Sequence, residues 1–329
     1  VIGAGLAAEN FIFALAGAKS GRHSVIQLAD DVFYPACSLR STAVVAARGV
    51  SLGHSELGDT LFQGYQRFQK HVLEDNPQGV FVGEQWSGVS RKIPEFKKRY
   101  PQNLTQNEIP SLGIELATEL CLSSEPCYII DPALYLGWLK DQSVSLPIER
   151  YKDIVINIQR ENELWVATSL SGKIFKAENL FLGLGSYQRF WKEFLPVVSK
   201  PVHGSYLVYE NISWGVKSFS LTLNGHNLIY RSYSNELVIG STSEEGGHFM
   251  ASESELREID QDLRTMLVNK SWPSFEKAKI LTGIREKGKG RRPYLESKDR
   301  FVAVGGLYKN GFSLALYLAE IARAHLKED

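Results

Sequence analysis

The chain has 329 residues, with 37 Lys plus Arg against 37 Asp plus Glu, and is 43% hydrophobic. A net charge of zero removes the electrostatic ground for general nucleic-acid or charged-membrane binding. No apolar run approaches the roughly 20 residues of a membrane span, and the length suits one large or two interleaved domains.

The first stretch, Val1-Ile2-Gly3-Ala4-Gly5-Leu6-Ala7-Ala8, puts Gly3, Gly5 and Ala8 on the G-x-G-x-x-G/A spacing of a dinucleotide site. Such a turn brings a pyrophosphate against bare backbone at a helix N-terminus, whose free N–H groups and partial positive charge complement it. Opening so directly on this motif, the chain is expected to carry no signal peptide and to have the rest of its first strand upstream of Val1. Phe11 to Ala16 predict a helix apolar on nearly every side, ended by Gly21, and residues 23–28 predict a second strand. The end of that strand is where an acid holds the ribose hydroxyls in this unit. The simplest register puts Ala29 there, followed by Asp30 and Asp31. Either Asp30 takes the role after a one-residue shift, or both aspartates are solvated turn residues.

Further along, Leu57, Leu61, Tyr65, Phe68 and Val72 recur at three- and four-residue steps and predict a helix over residues 55–73. Residues 79–106 hold glycines, aromatics and the basic cluster Arg91, Lys92, Lys97, Lys98 and Arg99, the usual composition of a solvated face. Asp131-Pro132 is a helix start, an N-cap followed by proline at the first helical position. Short β-prone runs at 154–158, 164–168 and 179–182 read as a meander returning to a strand that ends at Gly183-Leu184-Gly185. Asn224-Gly225 between 218–223 and 228–233 is a strong hairpin signal, with a third strand at 237–242. Ser252 and Glu255 form a capping box for an amphipathic helix through Leu256, Ile259, Leu263 and Leu267. The last segment returns to the opening pattern: a strand at 301–304, a turn at Gly305-Gly306 and an apolar helix at 312–326.

Cys37, Cys121 and Cys127 show neither CxxC nor Cys/His metal spacing, so reduced thiols in a cytoplasmic protein are expected. His54, His203, His226 and His248 lack partners at metal or nucleophile spacing and read as structural or surface residues.

Several of these segments, in this order, resemble the D-amino acid oxidase family of FAD-dependent oxidoreductases, and are most similar to its glycine oxidase branch. They are the opening eight residues, Ser38 through Val45, Asp131-Pro132, Leu182-Gly183-Leu184-Gly185, Gly240-Ser241-Thr242-Ser243-Glu244, Gly283-Ile284-Arg285 and Gly306-Leu307-Tyr308-Lys309-Asn310-Gly311-Phe312. The resemblance implies FAD as cofactor and an α/β fold. A doubly wound Rossmann-type FAD-binding lobe (1–80, 126–200 and 281–329) would be interleaved with an antiparallel β-sheet plus helix substrate lobe (81–125 and 201–280). It assigns the cofactor to Gly3, Gly5, Ala8 and Asp30, to Ser38, Arg40, Ser41 and Thr42 in the loop after the second strand, to Gly185 and Gly306 at strand ends, and to Asn310, Gly311 and Phe312 at the last helix.

The chemistry it implies is oxidation of a small amine or amino acid by hydride transfer from the α-carbon to flavin N5, giving an imine that hydrolyses. The flavin carries the electronic step, so no dedicated side-chain base is required. Arg285 matches the family's arginine after Gly-Ile, where a guanidinium pairs bidentately with a substrate carboxylate. It also belongs to the basic stretch Arg285, Lys287, Lys289, Arg291 and Arg292, which reads equally as a solvated loop. Tyr230 is the hairpin aromatic expected at the substrate, and Lys309 either adds charge near the flavin or points into solvent. Two other readings share the fold. One is a flavoprotein that modifies the tRNA wobble uridine, with the 91–99 and 285–292 clusters as its basic surface. The other is a binding module without redox activity, motivated by Ala29 and by Val44 where the family's flavin loop commonly has glycine.

Overall fold

The computed structural model describes residues 1–17, 23–30, 37–47, 50, 52–191, 193, 195, 199–246 and 253–326. Strands that are apolar at every position need cover on both faces, and Leu180–Leu182 and Phe301–Gly305 are wholly buried. Their alternate side chains divide cleanly. Phe181, Val302 and Val304 pack against the helices Leu6–Ala16 and Gly311–Ala324, whereas Leu180, Leu182, Phe301 and Ala303 pack with Ile158, Trp165 and Ala167. The latter three belong to the antiparallel meander of Val155–Glu161, Leu164–Ser169 and Ile174–Ala177. Stacked rings of Phe11 and Phe181, 3.8 Å between centroids, hold the first helix to the sheet.

Within this sheet Ile148–Tyr151 pairs in parallel with Val25–Leu28, Ile2 bridges Leu28 on one side and Leu182 on the other, and Leu180–Leu182 pairs in parallel with Phe301–Gly305. Tyr294–Lys298 closes the edge antiparallel. The chain steps outward in both directions from Ile2, which is the doubly wound, Rossmann-type arrangement. Its two faces differ: helices cover one and the meander covers the other.

The second lobe is built on a ten-stranded mixed sheet among the described residues. Hydrogen bonding assigns Val44–Ala46, Val80–Val89, Ile114–Ile130 and Lys279–Lys287 to it, besides Lys200–Tyr209 and the hairpin strands. The lobe boundaries expected at 80/81, 125/126 and 280/281 therefore fall at or inside strands of this sheet, because one long strand pairing is cheaper to continue than to interrupt with unpaired backbone. Most of its pairs are antiparallel, but Phe219–Leu223 runs parallel to Val80–Val89. One face packs on the helix Glu253–Met266, and the other faces the first lobe.

The local signals act as expected at several ends. Ser55 accepts from the N–H of Gly58 at 3.0 Å and starts Glu56–Asp75; Asp131 accepts from Ala133 and Leu134 at 3.0 and 3.1 Å and starts Pro132–Gln142. Asn224 and Gly225 both have positive φ, 48° and 97°, as a two-residue hairpin turn of primed type requires. Gly21, Asp31, His248 and Ser252 lie outside the described residues. All three cysteines are free thiols.

Candidate active site

A cleft of about 630 Å³ runs between the two lobes. Its walls start from the two glycine turns. Gly3 has φ +121°, and a methyl group there would meet the carbonyl oxygen of Gly183 at 2.5 Å, so the first strand's turn and the Gly183 turn touch through bare backbone. Ala8 is completely buried against both and does not reach the cleft. It performs the packing task of the motif's third position, which brings helix and strand together. Gly5 caps the first helix, and the Ser38 hydroxyl accepts from the N–H of Leu6 at 3.0 Å.

The last helix opens into the same cleft through Asn310, Gly311 and Phe312. Two helix N-termini thus face one space, and both favour negative charge there. Arg40, Ser41 and Thr42 line the wall between them, steadied by Arg231, whose Nη2 reaches the carbonyls of Ser41 and Thr42 at 3.4 Å. Asp30 and Gly185 also line the cleft, but Gly306 does not. Gly306 has φ +69° beneath the turn, and its N–H donates to buried Glu286 Oε2 at 2.9 Å. Burial pushes the Glu286 carboxyl above its usual range, although Tyr294 and that N–H oppose the shift.

At the outer end Arg285 lies on the strand Lys279–Lys287, with Nη2 donating to Thr242 O at 3.1 Å and His203 O at 3.4 Å. The guanidinium rests on Gly204, where a methyl group would lie 2.0 Å from Nη2. Among the described residues no carboxylate forms an ion pair with it. Its carbon is 5.6 Å from the centre of the Tyr308 ring, which Lys287 and Lys309 also approach at 5.9 and 5.6 Å. Burial would raise the Tyr308 phenol, yet the contact with Ser243 and the charges of Lys309, Arg285 and Lys287 outweigh it and hold the phenol below its ordinary value. Partial desolvation, aided by Arg285, Arg291 and Lys287, lowers Lys309. Lys287 is itself paired with Glu245.

Tyr230 is elsewhere. It is buried in the second lobe's core against Trp214 and Phe219, with its hydroxyl accepting from the N–H of Trp214 at 3.2 Å. Strand alternation is the reason: Asn227 and Ile229 face the cleft, so Leu228 and Tyr230 face away. Tyr233 stacks on Phe81 at 3.9 Å. The tyrosines at the cleft are Tyr206, Tyr308, Tyr151 and Tyr187. Tyr308 lies in the Gly306-to-Phe312 segment, and its adjacency to Lys309 is the sequence signal for it. The 91–99 cluster is exposed and lines no part of the cleft, and His226 pairs with Asp262 at 3.1 Å.

Residues 1–324 match the family model described as FAD dependent oxidoreductase. The chain belongs to that family. No curated protein sequence matches it. Among solved structures, glycine oxidase from Geobacillus kaustophilus superposes with a TM-score of 0.79 at 18% identity, covering 99% of this chain and 92% of that one. L-alpha-glycerophosphate oxidase from Mycoplasma pneumoniae gives 0.79 at 14%, covering 99% and 93%. Iminodiacetate oxidase from Chelativorans sp. BNC1 gives 0.74 at 16%, covering 100% and 95%. At these identities the likeness establishes the shared fold. The cleft of this FAD-dependent oxidoreductase family member fits the cofactor on its own geometry. A methyl at Gly3 would strike backbone at 2.5 Å, two helix N-termini converge, and Glu9 Oε2 is a buried carboxylate oxygen without a hydrogen-bond partner.

Proposed function

We propose that the protein binds FAD in this cleft and oxidises a carboxylate-bearing amine or amino acid. The observation that carries the reading is Arg285. It is a guanidinium at the cleft's outer end, backed by glycine and two carbonyls and matched with no carboxylate of the described chain. A cation so held is prepared for an anionic ligand, and its planar fork suits a carboxylate. FAD, when bound, supplies the acceptor for the hydride leaving the substrate's α-carbon.

The protein's own contribution is orientation and charge. Arg285 holds the carboxylate and so directs the α-carbon inward, which converts an encounter into a fixed geometry. The N-terminus of Gly311–Ala324 stabilises negative charge developing beside it. Lys309 and Tyr308 narrow the outer end and add to its affinity for anions. Two of the similar structures are named for carboxylate-bearing amines, glycine and iminodiacetate, which supports the choice of substrate class.

The test is anaerobic bleaching of the FAD-loaded protein's absorption near about 450 nm, a protein-bound flavin band. The panel is glycine, sarcosine, iminodiacetate, D- and L-amino acids and glycerol 3-phosphate. Bleaching by a carboxylate amine is expected, and Arg285→Ala should raise its half-saturating concentration about 10- to 100-fold, the worth of a charged hydrogen-bond pair. Bleaching by glycerol 3-phosphate alone would overturn the amine reading.

A further inference from the structure

The second strand ends at Leu28, and Ala29 just beyond it lines the cleft with only a methyl group to offer a ribose. Next to it, a carboxylate comes from another element. Glu9, in the first turn of the opening helix, is 0% exposed and also borders the cleft. Its Oε1 accepts from Gln27 Nε2 at 2.8 Å, and Gln27 is anchored in turn to Gly3 O at 3.0 Å. Oε2 has no hydrogen-bond partner. A buried acceptor left in that state costs about 1–3 kcal/mol.

Arg150 stands opposite. Its Nε donates to Gln27 Oε1 at 2.8 Å, while its Nη2 stops 4.0 Å from Glu9 Oε2. That separation is too long for a direct hydrogen bond, but an oxygen about 2.8 Å from each atom bridges them. The bridging group must donate to a carboxylate and accept from a guanidinium, and an alcohol hydroxyl does both. Arg150 is the outer partner of the pair, 40% exposed where Glu9 is fully enclosed.

We propose that Glu9, opposed by Arg150, receives the ribose hydroxyls of the cofactor's adenosine half, in place of the acid that Ala29 does not provide. The proposal rests on the reading that the cleft holds FAD. Asp30 borders the same end and is the competing acid.

Apoprotein is titrated with FAD and with an FAD analogue whose adenosine carries 2′,3′-dideoxyribose, and binding is followed by calorimetry for wild type, Glu9→Gln, Arg150→Met and Asp30→Asn. Glu9→Gln keeps the shape and the acceptor for Gln27, so it is expected to fold. It should weaken FAD about 10-fold or more while binding the analogue as wild type does. Arg150→Met, at a half-exposed position, should show the same selectivity at smaller size, and supplies the test should Glu9→Gln not fold. Wild-type FAD affinity in both Glu9→Gln and Arg150→Met overturns the proposal and leaves the cofactor reading intact. So does selective loss confined to Asp30→Asn. Wild type that binds no FAD overturns both.

Discussion

At Gly204 the site depends on a missing side chain. The guanidinium of Arg285 lies on its Cα, and a methyl group would come 2.0 Å from Nη2 and 3.0 Å from Thr242 O. Gly204→Ala should therefore displace Arg285 while leaving the strand paired. The expected result is a substrate KM raised as in Arg285→Ala, with flavin absorption unchanged; a normal KM would show that the guanidinium does not hold substrate from this position. Glu9 makes a different prediction at the same scale. Burial raises its carboxyl despite Gln27, Lys140 and Arg150, so the folded apoprotein binds the Glu9 proton more tightly than the unfolded chain, whose carboxyl titrates at about 4.3. Stability from this group is full below that value and is lost as pH rises through the folded pKa. Glu9→Gln should thus gain in melting temperature over wild-type apoprotein as pH rises above the unfolded value of about 4.3, and a gap unchanged with rising pH in melting scans would refute it.

Among the elements, helix ends were legible because their signals are local. Asp131 and Pro132 mark the start of Pro132–Gln142 by sequence neighbours alone, and Asp131 does accept two helix N–H groups. Asp131→Ala should cost about 1 kcal/mol, read as a lower urea midpoint at unchanged slope; no shift would mean that proline alone sets the helix start. The 17-residue strand Ile114–Ile130 left no comparable mark. Its inward residues change face along its length as it passes from Leu104–Ile109 to Val80–Val89 and Val44–Ala46, so no single alternation survives. Helix packing was equally silent: Gly64 lets Glu56–Asp75 approach the last helix, where a methyl would lie 2.7 Å from Leu314.

For the whole molecule, the cleft is lined from both lobes, by Gly3, Ser38 and Asn310 on one side and Gly204, Tyr206 and Arg285 on the other. A ligand filling it binds only the assembled protein and stabilises it by mass action, by about 2.7 kcal/mol at 100 times Kd. FAD should raise the melting temperature progressively with concentration in differential scanning fluorimetry, and an unmoved transition at saturating FAD would exclude binding here.

By itself the sequence determined the glycine turns, the helix caps, the hairpin and the family, because each is written in residues a few positions apart. Most of the site residues it named line the cleft, Arg285 and Lys309 among them. Only the tertiary structure decided which way Tyr230 faces, that Gly204 supports Arg285 across a strand pair, and that Glu9 and Arg150 oppose each other. Those facts depend on sheet register and on helix-to-sheet docking, which bring together residues 81 and 141 positions apart and leave no trace in local spacing.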